Sequence, residues 1–371
     1  MNFSFKNMIL LVLAVLTAGF FLASRSLKEA FEDDFLIGAA INYQQAAGED
    51  TKALNLIALH FNSTTPENML KWGPVHPKPN EYNFSAADNY VALGEKHDMF
   101  IIGHTLVWHQ QTPGWVFEGE KGSELSKEKL LARMQQHIST VAGRYEDKID
   151  GWDVVNEALN EDGSLRQTKW LEIIGEDYLS KAFTFAHEAA PDAELYYNDY
   201  NLWKPSKREG AIRLVRKLQE EGVQVDGIGM QGHYSLTLPS IDEIEASILA
   251  FSELGVKVMV TELDIEVLPR PGNQGADLNE NFGEKSEHNP YPDGLPDAVQ
   301  EQLADRYADL FALFHKHRDK ISRVTFWGVA DHHSWLNNWP IRGRTNYPLL
   351  FGRDYQPKAA FEAVINAGKE K

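Results

Sequence analysis

Short apolar runs alternate with longer amphipathic stretches along most of the chain, beginning near Leu27. Runs rich in β-branched residues indicate buried strands, and stretches with apolar residues three or four positions apart indicate helices. The predicted strands are 35–41, 61–65, 99–105, 149–155, 193–198, 226–231, 256–261 and 323–327. The predicted helices between them include 169–190, 206–221, 240–254 and 296–318, with Ser206 and Ser240 as N-caps.

This alternation of strands and helices predicts parallel βα units. Eight units in a chain of this length predict an α/β fold, a single-domain (β/α)8 TIM barrel over residues 27–371. The alternative is an open doubly wound sheet, which needs a glycine-rich phosphate-type loop after the first strand. The sequence "GAAINYQQAAGED" at that point does not supply such a loop.

The N-terminus has the pattern of an export signal. Lys6 precedes an apolar stretch at residues 8–22, which is shorter than the ~18–20 residues of a spanning helix. Phe20, Phe21 and Leu22 make a poor cleavage site. Residues 1–26 are therefore predicted to be a signal peptide or a retained N-terminal membrane anchor. The expected location is the periplasm, the cell surface in association with the membrane, or the medium.

Composition narrows the classes of partner. The 54 acidic and 36 basic residues give a formal net charge of −18, which argues against a nucleic-acid partner. The chain has no Cys, so disulfides, thiolate nucleophiles and Cys-ligated metals are excluded. Nine Trp residues suit either a large core or a site that stacks on sugar rings, and composition leaves both open. We expect a monomer.

Two predicted strands end on carboxylates. The stretch "GWDVVNEALN" opens as a buried strand and ends on Asn156 and Glu157, and "KVMVTELDI" ends on Glu262 with Asp264 close behind. In a barrel, both strand ends lie on the same rim, where catalytic residues are found. Paired carboxylates there indicate glycoside hydrolysis. The alternative is that both glutamates form structural salt bridges.

Four other strand ends carry hydrogen-bonding groups or indoles, as a polyol ligand would require. They are "TPENMLKW" with Glu67, Asn68, Lys71 and Trp72; "GHTLVWH" with His104, Trp108 and His109; "MQGHY" with Gln231 and His233; and "FWGVADHHSW" with Trp327, His332, His333 and Trp335. A single His or Trp of this kind is more often a core residue. Their recurrence at several strand ends favours a sugar-binding rim.

The ordered set "TPENMLKW", "GHTLVWH", "WDVVNEAL", "MQGHY", "VTELD" and "FWGV" resembles glycoside hydrolase family 10, the retaining endo-1,4-β-xylanases. The resemblance runs from about Leu27 to Gly368. It implies a (β/α)8 barrel that hydrolyses xylan and xylo-oligosaccharides by double displacement, with no metal and no cofactor.

The resemblance also implies roles for individual residues. Glu157 would be the general acid/base and Glu262 the nucleophile, with His233 holding Glu262 ionised and Asp264 supporting His233. The implied substrate-binding residues are Asn156 at the sugar 2-hydroxyl; Glu67, Asn68 and Lys71 on the non-reducing side; His104, Trp108 and Gln231 beside the scissile bond; and Trp327 and Trp335 as a stacking roof.

Three features depart from the family pattern. His332 and His333 replace a charged and aromatic pair, and "NNWPIRGRTN" looks like an insertion that carries Trp339, Arg342 and Arg344. The segment 266–296 is long and rich in Pro, Gly and Asn, which is typical of a wall or lid over the cleft. From its length we hypothesise a preference for short xylo-oligosaccharides over polymer.

Three alternative functions remain. The first is a β-1,4-glucanase or mannanase of the same clan, and the second is a catalytically silent xylan-binding barrel. The third is a metal-dependent hydrolase, suggested by His104, His109, His332 and His333. Against the third, no strand ends in a His-x-His pair, and the adjacent His332 and His333 would point in opposite directions on an extended strand.

Overall fold

The computed structural model of the chain describes residues 26–119, 122–123, 125–270 and 286–369. The predicted export segment therefore lies outside the described residues, apart from Ser26. The central part of the predicted lid, residues 271–285, also lies outside them. Within the described ranges, no helix combines the length and the apolar character that crossing a membrane requires.

Eight parallel strands form a closed barrel in the order β1 to β8, and β8 pairs with β1 to close it. The predicted (β/α)8 barrel is confirmed. The strands are β1 Leu36–Ile41, β2 Ser63–Pro66, β3 Phe100–Val107, β4 Gly151–Asn156, β5 Glu194–Tyr200, β6 Gly227–Ser235, β7 Lys257–Glu266 and β8 Ile321–Phe326.

Helices surround the barrel on its outer face. They are α1 Leu27–Ala30, α2 Tyr43–Ala46, α3 Thr51–His60, α4 Trp72–Val75, α5 Ser85–Lys96, α6 Lys127–Arg144, α7 Lys169–Ile174, α8 Tyr178–Ala189, α9 Pro205–Glu220, α10 Ile241–Ser252, α11 Asp297–Lys316 and α12 Ala359–Ala367. Most of their buried apolar residues and of those on the strands belong to one large hydrophobic cluster. The periodically spaced apolar residues seen in the sequence therefore form the face by which the longer helices pack on the sheet.

A second, small cluster contains Ile102, Tyr196 and Met259, all almost fully buried. These residues come from β3, β5 and β7, and contributions from alternate strands are typical of one side-chain layer inside a barrel. Gly151 leaves room for this layer, because a Cβ there would lie 2.5 Å from the Tyr196 ring. The interior is thus packed, and ligands are confined to the ends of the strands.

Two predicted strands are longer in the structure. The expected strands 226–231 and 256–261 extend to Ser235 and Glu266, and their pairing continues beyond a register shift between Gln231 and His233. Polar residues that the pattern indicated as loop therefore lie on strands. This holds the side chains of His233 and Asp264 on neighbouring strands at the rim.

Two helix predictions need correction. The helix expected over 169–190 is broken at Gly175, whose φ of +84° ends α7 before α8 begins. Ser206 is not an N-cap, because Pro205 is already the first residue of α9, a position that suits its fixed φ. Ser240 does cap α10, in a reciprocal capping box with Glu243.

Candidate active site

Glu157 and Glu262 share an unusual backbone conformation. Glu157 directly follows β4 with a φ of +58°, and Glu262 lies within β7 with a φ of +54°. A left-handed conformation costs a residue with a Cβ roughly 1–2 kcal/mol. Tertiary contacts maintain this conformation. One of them is the hydrogen bond that the Glu157 backbone amide donates to the Asn198 carbonyl oxygen at 2.9 Å. Strain maintained in this way is typical of functional positions.

Both side chains line one open cavity of about 600 Å³ at the carboxyl ends of the strands. The cavity is lined by Glu67, Asn68, Lys71, His104, Trp108, Gln111, Asn156, Glu157, Gln231, His233, Glu262, Trp327 and Trp335. The structure thus brings together the catalytic and substrate-binding residues that the sequence predicted, and adds Gln111. Asp264 lies directly behind His233. The roles of these residues remain predictions.

Three donors hold the Glu157 carboxyl group. Trp108 Nε1 donates to Oε2 at 2.9 Å, and the amides of Asn156 and Gln231 each donate to Oε1 at 3.2 Å. Burial, followed by the negative charges of Asp199 and Glu262, raises the pKa of Glu157 to about 7. Below about pH 7, most Glu157 side chains therefore retain a proton that they can give to a leaving group.

Glu262 is as deeply buried, but its surroundings are cationic. Burial alone would raise the pKa of Glu262, but the His233 hydrogen bond and the charges of His104, His233 and Lys71 outweigh it and lower the pKa below the ordinary value. His233 Nε2 lies 3.1 Å from Oε2, and Asn198 Nδ2 donates to Oε1 at 2.8 Å. Glu262 is therefore ionised at neutral pH.

A line of side chains supports Glu262 from behind. His233 Nδ1 lies 2.9 Å from Asp264 Oδ1, and Trp335 Nε1 donates to Asp264 Oδ2 at 2.8 Å. Burial would lower the pKa of His233, but the charges of and hydrogen bonds to Asp264 and Glu262 outweigh it and raise the pKa to about 10. The imidazolium is thus maintained throughout the neutral range.

Asn198, on β5, connects the two carboxylates. Thr261 Oγ1 donates to Asn198 Oδ1 at 2.6 Å, so the Asn198 NH₂ group must face the other way. That NH₂ group donates both to Glu262 and to Asn156 Oδ1, at 2.8 and 2.9 Å. Because Gln231 also donates to Asn156 Oδ1, a continuous set of hydrogen bonds joins Glu157 to Glu262.

The β2 side of the cavity carries a buried charged group. Lys71 Nζ donates to Asn68 Oδ1 at 2.9 Å and lies 5.0 Å from the centre of the Trp108 ring. Burial lowers the pKa of Lys71, while the nearby carboxylates of Glu262, Glu67 and Glu157 act in the opposite direction. Fixed donors and acceptors beside an indole suit a ligand with several hydroxyl groups.

The roof of the cavity is aromatic. Trp335 stacks on Trp339 with ring centroids 4.4 Å apart, and the His233 ring lies 4.8 Å from Trp335. Arg270 lies 4.2 Å from the Trp339 ring on the side of the predicted lid. The insertion that carries Trp339 is therefore packed behind the roof and supports it.

The family model of glycosyl hydrolase family 10 matches residues 26–367. The chain belongs to this family. Endo-1,4-beta-xylanase B of Paenibacillus barcinonensis is 46% identical over 344 residues, which cover 92% of this chain and 97% of that protein. Endo-1,4-beta-xylanase A of Xylanibacter ruminicola is 43% identical over 341 residues, 92% of each chain. A GH10 endoxylanase from a sugarcane soil metagenome is 48% identical in sequence, with a TM-score of 0.90, over 92% of this chain and 99% of that one.

Several residues of this family 10 site were not found from the sequence. Asn198 ends the fifth predicted strand and Asp199 follows it in "YYNDYN", a polar end of the same kind as the other strand ends. Gln111 follows "GHTLVWH" in the loop after β3. The signal for Asn198 and Asp199 was present, but only the register of β4, β5 and β6 shows that they lie beside the carboxylates.

Other rim residues lie away from the site. Trp72 is a core residue, stacked on His137 with ring centroids 3.6 Å apart. Of the four histidines that suggested a metal-dependent hydrolase, only His104 is among the described residues that line the cavity. The argument that His332 and His333 would point in opposite directions assumed an extended strand and does not apply, because they lie in a 3₁₀ turn with ring centroids 3.8 Å apart.

Arg342 and Arg344, the other charged residues of the insertion, also differ in their surroundings. Arg344 is buried and pairs with Glu266 at 2.6 Å, whereas Arg342 is exposed. Of these two arginines, Arg344 is therefore the one that ties the insertion to the end of β7.

Proposed function

We propose that the protein is an endo-1,4-β-xylanase that hydrolyses xylan and xylo-oligosaccharides with retention of anomeric configuration. The observation that carries this proposal is the pair of buried carboxylates in one cavity with opposite pKa shifts, raised for Glu157 and lowered for Glu262. A retaining glycosidase needs one proton donor and one ionised nucleophile flanking a single bond. The similarity to xylanases supports the choice of sugar.

In the first step, a Glu262 carboxylate oxygen attacks the anomeric carbon, C1. The bond from C1 to the glycosidic oxygen breaks, and that oxygen takes the proton of Glu157. An ester then joins Glu262 to the sugar, and Glu157 is an anion. In the second step, Glu157 removes a proton from a water molecule, whose oxygen attacks C1 and displaces Glu262. Both groups then regain their starting protonation states.

The arrangement of charges favours this exchange of roles. The negative charge of Glu262 is one cause of the raised pKa of Glu157. Esterification removes that charge, so the pKa of Glu157 falls between the first step and the second. The group therefore acts as an acid while Glu262 is free and as a base while Glu262 is esterified.

The remaining lining residues suit a xylose chain. Asn156 holds its NH₂ group beside Glu157, close to where a sugar 2-hydroxyl would lie. Trp327 and Trp335 offer apolar faces to the rings, and Glu67, Asn68 and Lys71 offer polar groups to hydroxyls further along the chain. No specific observation favours a glucanase, a mannanase or a silent binding barrel.

The proposal is tested by the substrate and by the first product. Rates are compared on xylan, carboxymethylcellulose and mannan, and the anomer formed initially is identified by proton NMR. We expect hydrolysis of xylan with the β-anomer appearing first. Hydrolysis of either other polymer without activity on xylan, or initial release of the α-anomer, would overturn the proposal.

Export and chain-length preference also belong to the proposal. The apolar N-terminal pattern supports export, with residues 1–26 either cleaved or retained as an anchor. A monomer is part of the same proposal. N-terminal sequencing of protein from separated cell fractions distinguishes these two outcomes. The length of segment 266–296 supports a preference for short oligosaccharides. Equal efficiency on xylohexaose and on insoluble xylan would contradict that preference.

A further inference from the structure

Three side chains with metal-ligand chemistry meet on the rim of the barrel where β8 closes against β1. Asp50 precedes α3, and His332 and His333 lie in the 3₁₀ turn that follows β8. One ligand atom from each lies within 4.8 Å of the other two. None of the three is among the described residues that line the catalytic cavity.

The contacts within this cluster are specific. His333 Nε2 lies 3.0 Å from Asp50 Oδ2, and the two imidazole rings are 3.8 Å apart. The Tyr355 hydroxyl lies 2.9 Å from both Asp50 carboxylate oxygens and 3.0 Å from His332 Nε2. The side-chain amide of Gln45 lies 3.2 Å from His333 Nδ1 and orients that ring from the other side.

The donor set selects the class of metal. Two imidazole nitrogens and one carboxylate suit Zn²⁺ and related divalent transition metals, whereas Ca²⁺ and Mg²⁺ require oxygen ligands. Ligand bonds of about 2.0–2.2 Å in a tetrahedral site place the ligand atoms roughly 3.3 Å from one another. The present spacings of up to 4.8 Å are therefore close to that geometry, and a small inward movement of the rings is sufficient.

We propose that Asp50, His332 and His333 form a binding site for one divalent transition-metal ion of the Zn²⁺ type. The ion occupies a position between the three ligand atoms, with a water molecule or the Tyr355 hydroxyl as the fourth ligand. Tyr355 and Gln45 orient the ligands, as hydrogen-bonded neighbours commonly do around metals. The site is structural, because it lies apart from the two carboxylates.

Binding of the ion would connect two segments at the place where β1 and β8 close the barrel. β1 and β8 are neighbours, and the ion joins the segment after β1 to the segment after β8. Trp335 follows His333 by two residues and donates to Asp264 at the catalytic site. A bound ion therefore stabilises the folded chain and restrains the segment that carries Trp335.

The test uses the full chain without a histidine tag, freed of metal by a chelator and titrated with ZnCl₂ by calorimetry. We expect one Zn²⁺ per chain. At a free Zn²⁺ concentration about 100 times the Kd, Tm should rise by roughly 3–4 °C. Co²⁺ in place of Zn²⁺ should give the intense visible absorption of a four-coordinate ion. Absence of binding at millimolar Zn²⁺, or the weak spectrum of octahedral Co²⁺, would overturn the proposal.

Matched variants locate the ion. His333→Gln and Asp50→Asn should each weaken Zn²⁺ binding by about 100-fold or more and abolish the rise in Tm, whereas Tyr355→Phe should weaken binding by about tenfold. Asp50→Asn retains an oxygen that can cap α3, so it separates loss of metal from loss of the cap. His187→Gln, in α8, is the control. Equal Zn²⁺ affinity in His333→Gln and the natural chain would contradict the assignment.

Discussion

Glu157, directly after β4, and Glu262, in the second half of β7, are alike in backbone conformation and burial but opposite in electrostatic surroundings. Glu157 and Glu262 each have a left-handed φ, each is 6% exposed, and each accepts hydrogen bonds from side-chain amides. Beyond these shared features, the neighbour that acts most strongly on Glu157 is the anion Asp199, whereas for Glu262 it is the cation His233.

This comparison shows that burial alone does not assign acid and base. Burial raises the pKa of both groups, and the charge placed beside each decides the outcome. The pKa of Glu157 stays raised at about 7, while that of Glu262 falls below its ordinary value. The predictions that follow remove the charges on one side or the other, in order of expected effect.

Removal of the nucleophile should have the largest effect. Glu262→Ala should lower kcat on xylan by roughly 10⁴-fold or more, because no covalent intermediate can form. Glu253→Ala, at an exposed position after α10, is the matched control and should keep full activity. Turnover by Glu262→Ala at more than a hundredth of the natural rate would show that Glu262 is not the nucleophile.

Removal of the general acid should lower the rates on two kinds of substrate by different factors. Glu157→Ala should lower the rate on xylan by roughly 10³-fold, but much less on an aryl xyloside, whose leaving group departs without a proton. The measurement is kcat/KM on both substrates for the natural chain and the variant. Equal losses on xylan and on the aryl xyloside would refute the acid role.

Removal of the cation should affect the acidic side of the pH profile. His233→Asn should raise the pKa of Glu262, because the main group that lowers it is lost. Activity needs Glu262 ionised, so the acidic limb of kcat/KM against pH should move to higher pH. The alkaline limb, which reports Glu157, should move less. Movement of the alkaline limb alone would reverse the assignment.

Removal of the anion should affect the alkaline side. Asp199→Asn should lower the pKa of Glu157 from about 7 towards its ordinary value. Activity needs Glu157 protonated, so the alkaline limb should move to lower pH. Lys207, fully buried, pairs with Asp199 at 2.9 Å. The double variant Asp199→Asn/Lys207→Met therefore avoids an unpaired buried charge. Because the double variant also removes the Lys207 cation, its alkaline limb should move less than that of Asp199→Asn alone. An unmoved alkaline limb in Asp199→Asn would exclude Asp199 as a cause.

The smallest effect is expected at Trp335, which acts on Glu262 only through Asp264 and His233. Trp335→Phe keeps an aromatic face but removes the N–H that donates to Asp264. We expect a loss in kcat/KM of about 3–10-fold, or about 1 kcal/mol, because the lost hydrogen bond acts on Glu262 only through Asp264 and His233. Trp203→Phe, on a partly buried Trp outside the described cavity lining, is the control. A loss as large as that in His233→Asn would show that Trp335 does more than orient Asp264.

The residues at the ends of the strands could be predicted from the sequence. The barrel followed from the alternation of patterns, and "VVNE" and "VTELD" placed both carboxylates after apolar runs. The carboxyl ends of parallel barrel strands all lie on one rim. A residue that the local pattern assigns to such an end can therefore be located from the topology.

Contacts between distant segments could not be predicted in this way. Asn198 joins the carboxylates only because of the register of β5 with its neighbours. The meeting of Asp50 with His333 depends on barrel closure and on a 3₁₀ turn that no period of the sequence reveals. The break at Gly175 was missed because a single glycine within a helical pattern is often tolerated.

The central claim is that Glu262 attacks the sugar while Glu157 supplies the proton. The most direct test is covalent trapping with a 2-deoxy-2-fluoro xyloside that bears a good leaving group, followed by mass spectrometry of the peptides. The account predicts one glycosyl group per chain, attached to Glu262, with release on addition of an acceptor sugar. A label on Glu157, or none in a chain that hydrolyses xylan, would contradict it.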